Sequence, residues 1–580
     1  MSSRDAIYRS PEAPVSAEAW AWNMYGAGLE QIGHDGRPEW VPVPEPGDDQ
    51  LLVRVDAVGM CFSDVKLIQQ GGKHPKLYNR DLAREPTRLG HEVALTVLKV
   101  GRALRERYTP GQRLAVQPDI YQDGRSTAYG YTIPGGLIQF HLVGPEVLAA
   151  DDGAYVLPVP ERMGYAEAAL TEPWACVEGA YTQRRRLAPR PGGTLWIVGR
   201  PGDATAYTFS ELLTAPARIV LTDVSDELRV RLERGTGGTI LRRDGVGPAD
   251  YATLSQELTG GAGFDDIVLL DPRAAEVVSA AARVVARRGT VNLVGRTPLD
   301  GSPMIDVGRI HYDYIAYVGN PGPEITASYG EQRNRCELRR GGVALFVGAG
   351  GPMGQMHVQR ALELPDGPRT VIATDVNNAR LAALEQLFQP LASEHDRRLI
   401  TVNPAESPLS LHELVLRESD GAGADDVVVC VPVAGLMAEA ARMMRPDGML
   451  VLFAGVPNGT LAPLNLSDVY LHNAQFTGTS GSRLSDQALV IRKTVEGQLS
   501  PNRSVAAVGG IEAAHDGIRA MMEGRYAGKV VIFPQLSGLP LTGIAELKAA
   551  YPDVAAHLGP GDAWTPEAER TLIERFWQPG

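Results

Sequence analysis

Three short segments carry residue types that could do chemistry together. GMCFSDVKL (59–67) sets the Cys61 thiol just ahead of the Ser63 hydroxyl, with Lys66 one helical turn on. GHE (90–92) offers the His91 imidazole and the Glu92 carboxylate. TEPWACVEGAY (171–181) offers Glu172 at the start of a helix, directly before Pro173. A catalytic zinc site takes three sulfur, nitrogen or oxygen ligands and keeps one open position. Cysteine, histidine and glutamate meet that demand. Zinc so held is a Lewis acid toward an alcohol or carbonyl oxygen and lowers the pKa of a bound alcohol. Ser63 is placed to pass on that alcohol's proton. Taken singly, each residue has a blander reading: Cys61 as core, GHE as a turn before a strand, Lys66 as a solvated surface lysine. Their order, ahead of a nucleotide-binding pattern, favours zinc.

That second pattern begins with the β-run VALFV, continues through GAGGPMG (348–354) and runs into a helical stretch. Gly348, Gly350, Gly351, Pro352, Met353 and Gly354 form the turn, and Asp375 closes the strand TVIATD about twenty residues on, which is the Rossmann arrangement. Glycines let the backbone approach a pyrophosphate that sits on the helix N-terminus. Asp375 would accept from the ribose hydroxyls. A carboxylate there repels a 2′-phosphate and no arginine follows directly, so NAD is expected rather than NADP. Both Gly350 and Gly351 remain candidates for the phosphate-facing glycine.

The same texture occurs twice. GGTLWIVGRPGDA (192–204) matches GGVALFVGAGGPM (341–353), and RIVLTDVSDELRVRLE (218–233) matches TVIATDVNNARLAALE (370–385). GAGFDDIVLL (261–270) matches GAGADDVVVC (421–430), and RRGTVNLVGRTP (287–298) matches PDGMLVLFAGVP (446–457). The offset grows between the Gly199–Gly348 and Asp265–Asp425 pairs, placing extra residues of the second copy within 388–412. The first copy's turn, VGRPGDAT (198–205), is damaged. Pro201 removes a backbone donor. Asp203 sets a negative charge where a helix end should welcome phosphate. Thr205 adds bulk. This copy is expected to keep the fold without tight dinucleotide binding, held aside while the second copy docks on the zinc segments.

The positioning elements follow from the pattern of strands. Residues 37–150 read as short strands cut by Gly and Pro, with GYTIPGGLIQFHLV (130–143) as a hairpin, which suggests a β-barrel-like unit. From about 165 strands alternate with helices, as in a parallel α/β sheet. The expected layout is a catalytic unit over 1–165 completed by 483–535, two Rossmann-type doubly wound units over 166–322 and 323–482, and a helical tail within 483–580.

Composition sets the bounds. The chain has 580 residues, 44% hydrophobic and 22% charged, typical of a globular protein of several domains. A net charge of −13 argues against nucleic acid as a partner. No apolar run approaches the roughly 20 residues of a membrane helix, and MSSRDAIYRSPEAP has no secretory h-region. The four cysteines, Cys61, Cys176, Cys336 and Cys430, include no CxxC, so a reducing cytoplasm is expected.

GMCFSD, GHE, EPWACVEGAY and the closing EGRYAGKVVIFP resemble the medium-chain dehydrogenase/reductase family, nearest its sorbitol, threonine and sorbose-1-phosphate reductase branch, over most of 37–535. The resemblance implies a GroES-like barrel followed by Rossmann sheets, one catalytic Zn2+ per chain and NAD as cofactor. It implies Cys61, His91 and Glu172 as ligands, Glu92 as an alternate ligand or supporting group, and Ser63 in the hydroxyl relay. It implies hydride transfer between NAD and a secondary alcohol or ketone of a polyol, sugar or sugar phosphate, and a homo-oligomer, dimer or tetramer. Two departures stand out. No cysteine lies between Cys61 and Cys176, so the family's four-cysteine structural zinc lobe is missing. Lys66 stands where many relatives carry histidine at the outer end of the relay. Two other readings remain: a zinc lyase or epimerase with transiently reduced bound cofactor, and a non-catalytic nucleotide sensor.

Overall fold

The computed structural model describes residues 3–579. The catalytic unit is built on one curved, largely antiparallel sheet of eight strands. Its central strand, Leu51–Gly59, is buried at every position, so its run LLVRVDAVG is apolar with few breaks. Pairing with Glu92–Val100 shifts register twice, at Leu52/Val53 and at Val55/Ala57, and such irregularities bend a sheet toward closure. The other side of Leu51–Gly59 is completed from far along the chain by Lys529–Phe533, where Val531 pairs with Gly59. Lys529–Phe533 lies parallel to Val505–Gly510, and helix Ala514–Met522 makes the crossover.

Residues 130–143 do not form the expected hairpin. Only Phe140–Val143 is a strand, and it pairs with Leu51–Gly59; the glycines and proline before it make a loop that lies against Leu89 and Gly90. The tail carries the helices Ile544–Ala550, Pro552–Ala555 and Pro566–Phe576. Its last helix, Pro566–Phe576, packs on the N-terminal helix Arg4–Arg9, with Tyr8 and Trp577 edge to face at 5.2 Å. Glu569 of that helix, fully buried, accepts from the Tyr165 and Ala166 amides and so caps the helix Tyr165–Ala169.

Two six-stranded parallel sheets lie between these pieces, and they share one strand order. In the first the order is Thr239–Arg242, Arg218–Thr222, Thr194–Val198, Phe264–Leu270, Val285–Val294, Ala316–Asn320. In the second it is Arg398–Val402, Thr370–Thr374, Val343–Val347, Ala424–Val429, Met444–Leu452, Gln475–Gly478. Each is the doubly wound dinucleotide-binding order. Even the register shift recurs, at Phe264/Asp266 and Ala424/Asp426. Part of the extra length of the second copy is a longer helix, Asn378–Glu394 against Asp226–Gly235.

The copies differ most after their first strands. In the second copy the 12-residue helix Pro352–Glu363 follows Val343–Val347. In the first, the only helical turn between Thr194–Val198 and Arg218–Thr222 is the 3-10 turn Glu211–Thr214. The loss therefore goes beyond the three loop substitutions: the helix whose N-terminus would meet a phosphate is gone. Asp203 instead ties the loop to itself, accepting from the Thr205 amide and from the Tyr207 hydroxyl.

The two sheets meet edge to edge, equivalent element against equivalent element. Met304–Asp306 of the first copy pairs antiparallel with Leu461–Pro463 of the second. Helix Val307–Tyr312 packs on strand Gln475–Gly478, and helix Ser467–Leu471 packs on Ala316–Asn320. Gly319 permits the close approach, since a Cβ there would stand 2.7 Å from the Tyr470 side chain. This self-complementary contact is the kind a two-fold dimer makes, here formed within one chain and sharing one apolar core.

Candidate active site

Each candidate ligand sits where an element begins. Cys61 is the N-cap of helix Phe62–Gln70, and its amide donates to Asp64 at 3.0 Å. His91 precedes strand Glu92–Val100, and Gly90 ahead of it holds φ +90°, a conformation that favours glycine. Glu172 lies in the first turn of helix Thr171–Gly179 and is buried. One ligand atom each from Cys61, His91 and Glu92 lie within 4.8 Å of one another. Glu172 faces the same cleft as Cys61 and His91 and touches the Cys176 sulfur at 3.8 Å, but stands outside that tight trio.

The two glutamates differ in what holds them. Glu92 is in a buried ion pair with Lys529 and lies under Gly59, where a Cβ would collide with its carboxylate. Glu172 has no cation within ion-pairing distance among the described residues. Burial raises Glu172 to about 7, and Glu92 to about 8 despite Lys529. Burial would also raise the Cys61 thiol, but Lys529 and His91 reverse this and bring it down to about 6. Burial works against a charged His91; Asp64, 3.3 Å from its Nδ1, overrides it and holds the imidazole well above its usual range. Cys61, His91 and the buried Glu172, whose carboxyl has no cation within ion-pairing distance among the described residues, line one cleft and offer sulfur, nitrogen and oxygen, a donor set suited to a divalent cation. Lys529 went unnoticed in the sequence, although it stands in the closing GKVVI; nothing local ties it to Glu92.

Ser63 Oγ lies 3.3 Å from His91 Nε2. Lys66 is exposed on the cleft rim. Tyr131 closes the inner wall, its ring centroid 5.9 Å from that of His91, with the Lys76 ammonium 4.8 Å from the ring centre and paired to Asp119 at 2.8 Å.

The cleft, about 870 Å³, is bounded on its far side by Met353 and Phe453 of the second copy. Met353 is in the first turn of helix Pro352–Glu363, whose N-cap is Gly351. The loop before it is drawn tight. Gly348 holds φ +77°, and a Cβ at Gly354 would stand 2.5 Å from the Gly348 carbonyl. Gly350 donates its amide to Asp375 at 3.0 Å, and a Cβ on it would strike that carboxylate. Gly351 faces open space. Its exposed helix end, with Pro352 lacking an amide hydrogen where none is needed, is chemically suited to a phosphate. This helix is bolted to the one carrying Glu172: Tyr181 and His357 Nδ1 are 2.7 Å apart, and Arg360 meets Glu178 at 3.1 Å.

The first copy is not held aside. Arg287, Arg288, His311, Tyr312 and Tyr314 line the same cleft. The pairing of the two sheets swings helix Val307–Tyr312 over the second copy, where His311 Nδ1 lies 3.2 Å from the Leu452 carbonyl.

Comparison with known proteins agrees with this geometry. Residues 47–161 match the alcohol dehydrogenase GroES-like domain. An uncharacterized Escherichia coli protein, YggP, is 30% identical over 302 residues, 48% of this chain and 70% of that protein. The chain belongs to the zinc-dependent medium-chain dehydrogenase/reductase family. It is an oxidoreductase, and the family's zinc and nicotinamide cofactor come with that membership. Within the family, L-sorbose 1-phosphate reductase of Klebsiella pneumoniae is 29% identical over 306 residues, 50% of this chain and 73% of its own. Mannitol-1-phosphate 5-dehydrogenase of Aliivibrio fischeri is 29% identical over 546 residues, 92% of this chain and 94% of its own, so the likeness runs through both Rossmann copies. Among the described residues no helix is long and apolar enough to cross a membrane.

Proposed function

We propose that this dehydrogenase transfers hydride between NAD(H) and a secondary alcohol or ketone of a polyol or sugar phosphate, with zinc held by Cys61, His91 and Glu172. The observation that carries this reading is one cleft lined by Cys61, His91, Glu172 and Ser63 on one side and by Met353, at the start of the glycine-loop helix, on the other. Zinc bound there supplies a Lewis acid for the substrate oxygen. Ser63 takes up or returns the hydroxyl proton at its Oγ. Glu92, neutralised by Lys529, supports the ligands from beneath. Gly351 and the first turn after it receive the pyrophosphate, while Asp375 accepts from the ribose. Met353 and Phe453, which line the cleft, would exclude water from a bound nicotinamide. The sugar-phosphate class is supported by the names of the relatives from Klebsiella pneumoniae and Aliivibrio fischeri.

The test combines elemental analysis with NAD reduction across hexitols, hexitol phosphates and cyclitols. One zinc per chain and NADH formation on a polyol or its phosphate are expected. Active protein without zinc, or zinc-loaded protein that reduces NAD with none of these substrates, overturns the reading.

A further inference from the structure

The first Rossmann copy lacks both a phosphate cradle and the helix behind it, yet it supplies a wall of the cleft. What it brings there is positive charge. Arg287 and Arg288 sit in strand Val285–Val294, at the turn where the pairing with the neighbouring strand shifts, and both are exposed. Arg288 holds φ +59°, a left-handed conformation that favours glycine. Such strain persists where the surroundings impose it, often at functional positions. Its guanidinium lies 4.9 Å from the centre of the Tyr314 ring, and Tyr314 in turn donates to the Ser480 carbonyl of the second copy.

Arg483 and Lys66 face the same cleft from the catalytic side. Burial, then the nearby Arg184 and Arg288 guanidinium groups, hold Arg483 below its usual range. Lys66 lies close enough to His311 to add to the effect of burial, which brings that imidazole down to about 4. Among the described residues, none of Arg287, Arg288, Arg483 and Lys66 has a carboxylate within ion-pairing distance. Of the acids lining the cleft, Asp119 is paired with Lys76, Asp152 accepts from the Tyr155 hydroxyl, and Glu172 belongs to the proposed metal site. Four cations that line one cleft and carry no ion-pair partner among the described residues favour an anion there.

We infer that the first Rossmann copy has become the outer wall of the substrate site, and that its Arg287 and Arg288, with Arg483 and Lys66, bind the phosphate-ester end of the substrate while the opposite hydroxyl reaches Cys61 and His91. This rests on the sugar-phosphate reading above and assigns the residues that would enforce it. The rival source of phosphate is the cofactor's pyrophosphate, which belongs at Gly351.

Calorimetric titration of the zinc-loaded protein with mannitol 1-phosphate and with mannitol, alongside NADH binding followed by fluorescence, separates these. The unmodified protein should bind the phosphate ester at least about tenfold more tightly than the free hexitol. The double variant Arg287→Gln, Arg288→Gly should lose most of that preference and keep its NADH affinity; glycine suits the backbone at 288, so folding is not at issue. A second variant, Arg483→Gln, should lose part of it. Equal binding of ester and hexitol by the unmodified protein, or a preference that survives the double variant, overturns the inference. So does a loss confined to NADH, which would assign the arginines to the cofactor. If the preference holds but no polyol or phosphate is oxidised, the proposed reaction fails and the anion wall stands.

Discussion

Arg360 of the glycine-loop helix and Glu178 of the helix bearing Glu172 form a buried ion pair at 3.1 Å, which ties the second Rossmann copy to that helix. Burial pushes the Glu178 carboxyl up; Arg360 and Lys493 outweigh it and hold it below its usual range. Removing one partner of such a pair leaves an uncompensated charge, at a cost of about 3–5 kcal/mol. Arg360→Met should fall near the low end, because Lys493 stays 2.8 Å from Glu178. Denaturant unfolding measures the loss, and adding Glu178→Gln should recover much of it. A larger fall in kcat/KM than in zinc content would show that the joint positions one unit against the other.

Lys529→Met tests the charge beneath the proposed metal ligands. It strands Glu92 in a site where its partner is fully enclosed. A stability loss of about 3–5 kcal/mol is expected, and pairing it with Glu92→Gln should restore stability while zinc affinity stays weakened. Full zinc affinity in the double variant would remove these two residues from the support of the site.

The glycine loop makes a finer prediction. Gly351→Asp keeps the fold, since its Cβ meets open space, but abolishes NADH binding by setting a carboxylate where phosphate must lie. Gly350→Ala displaces Asp375 and should weaken NADH about tenfold or more. Asp375→Ala should also weaken NAD and narrow the gap to NADP. Asp203→Ala, in the first copy, should leave turnover unchanged and cost only about 1 kcal/mol from lost loop hydrogen bonds. Dissociation constants and melting temperatures separate the four outcomes, and NADH lost from the Asp203 variant would return the cofactor to the first copy.

Acid should destabilise the chain through two buried histidines. Burial lowers His357 and His141 to about 3 each. Between about 3 and the unfolded value near 6.5 the unfolded chain binds protons that the folded chain refuses, so stability falls as pH drops through that window. Each contributes a slope of up to about 1.4 kcal/mol per pH unit. Urea unfolding at several pH values should show a shallower slope in His357→Gln; an unchanged slope would mean that His357 titrates alike in both states.

Local patterns made much of this protein legible without a structure. Cys61, His91 and Glu172 lie in short segments whose residue types speak for themselves, and they do share one cleft. The twin sheets follow from repeated strand and turn signals, because a β–turn–α unit is specified by residues close in sequence. Tertiary structure alone decided the rest. Lys529 meets Glu92 only because the chain returns, 437 residues later, to close the first sheet. The missing crossover helix of the first copy left few local marks, since helix formation depends on packing as much as on propensity. The place of Arg287, Arg288 and His311 at the cleft depends on two sheets joining edge to edge through Met304–Asp306 and Leu461–Pro463. That contact is between surfaces, and residues that meet across it share no spacing in the chain from which their meeting could be read.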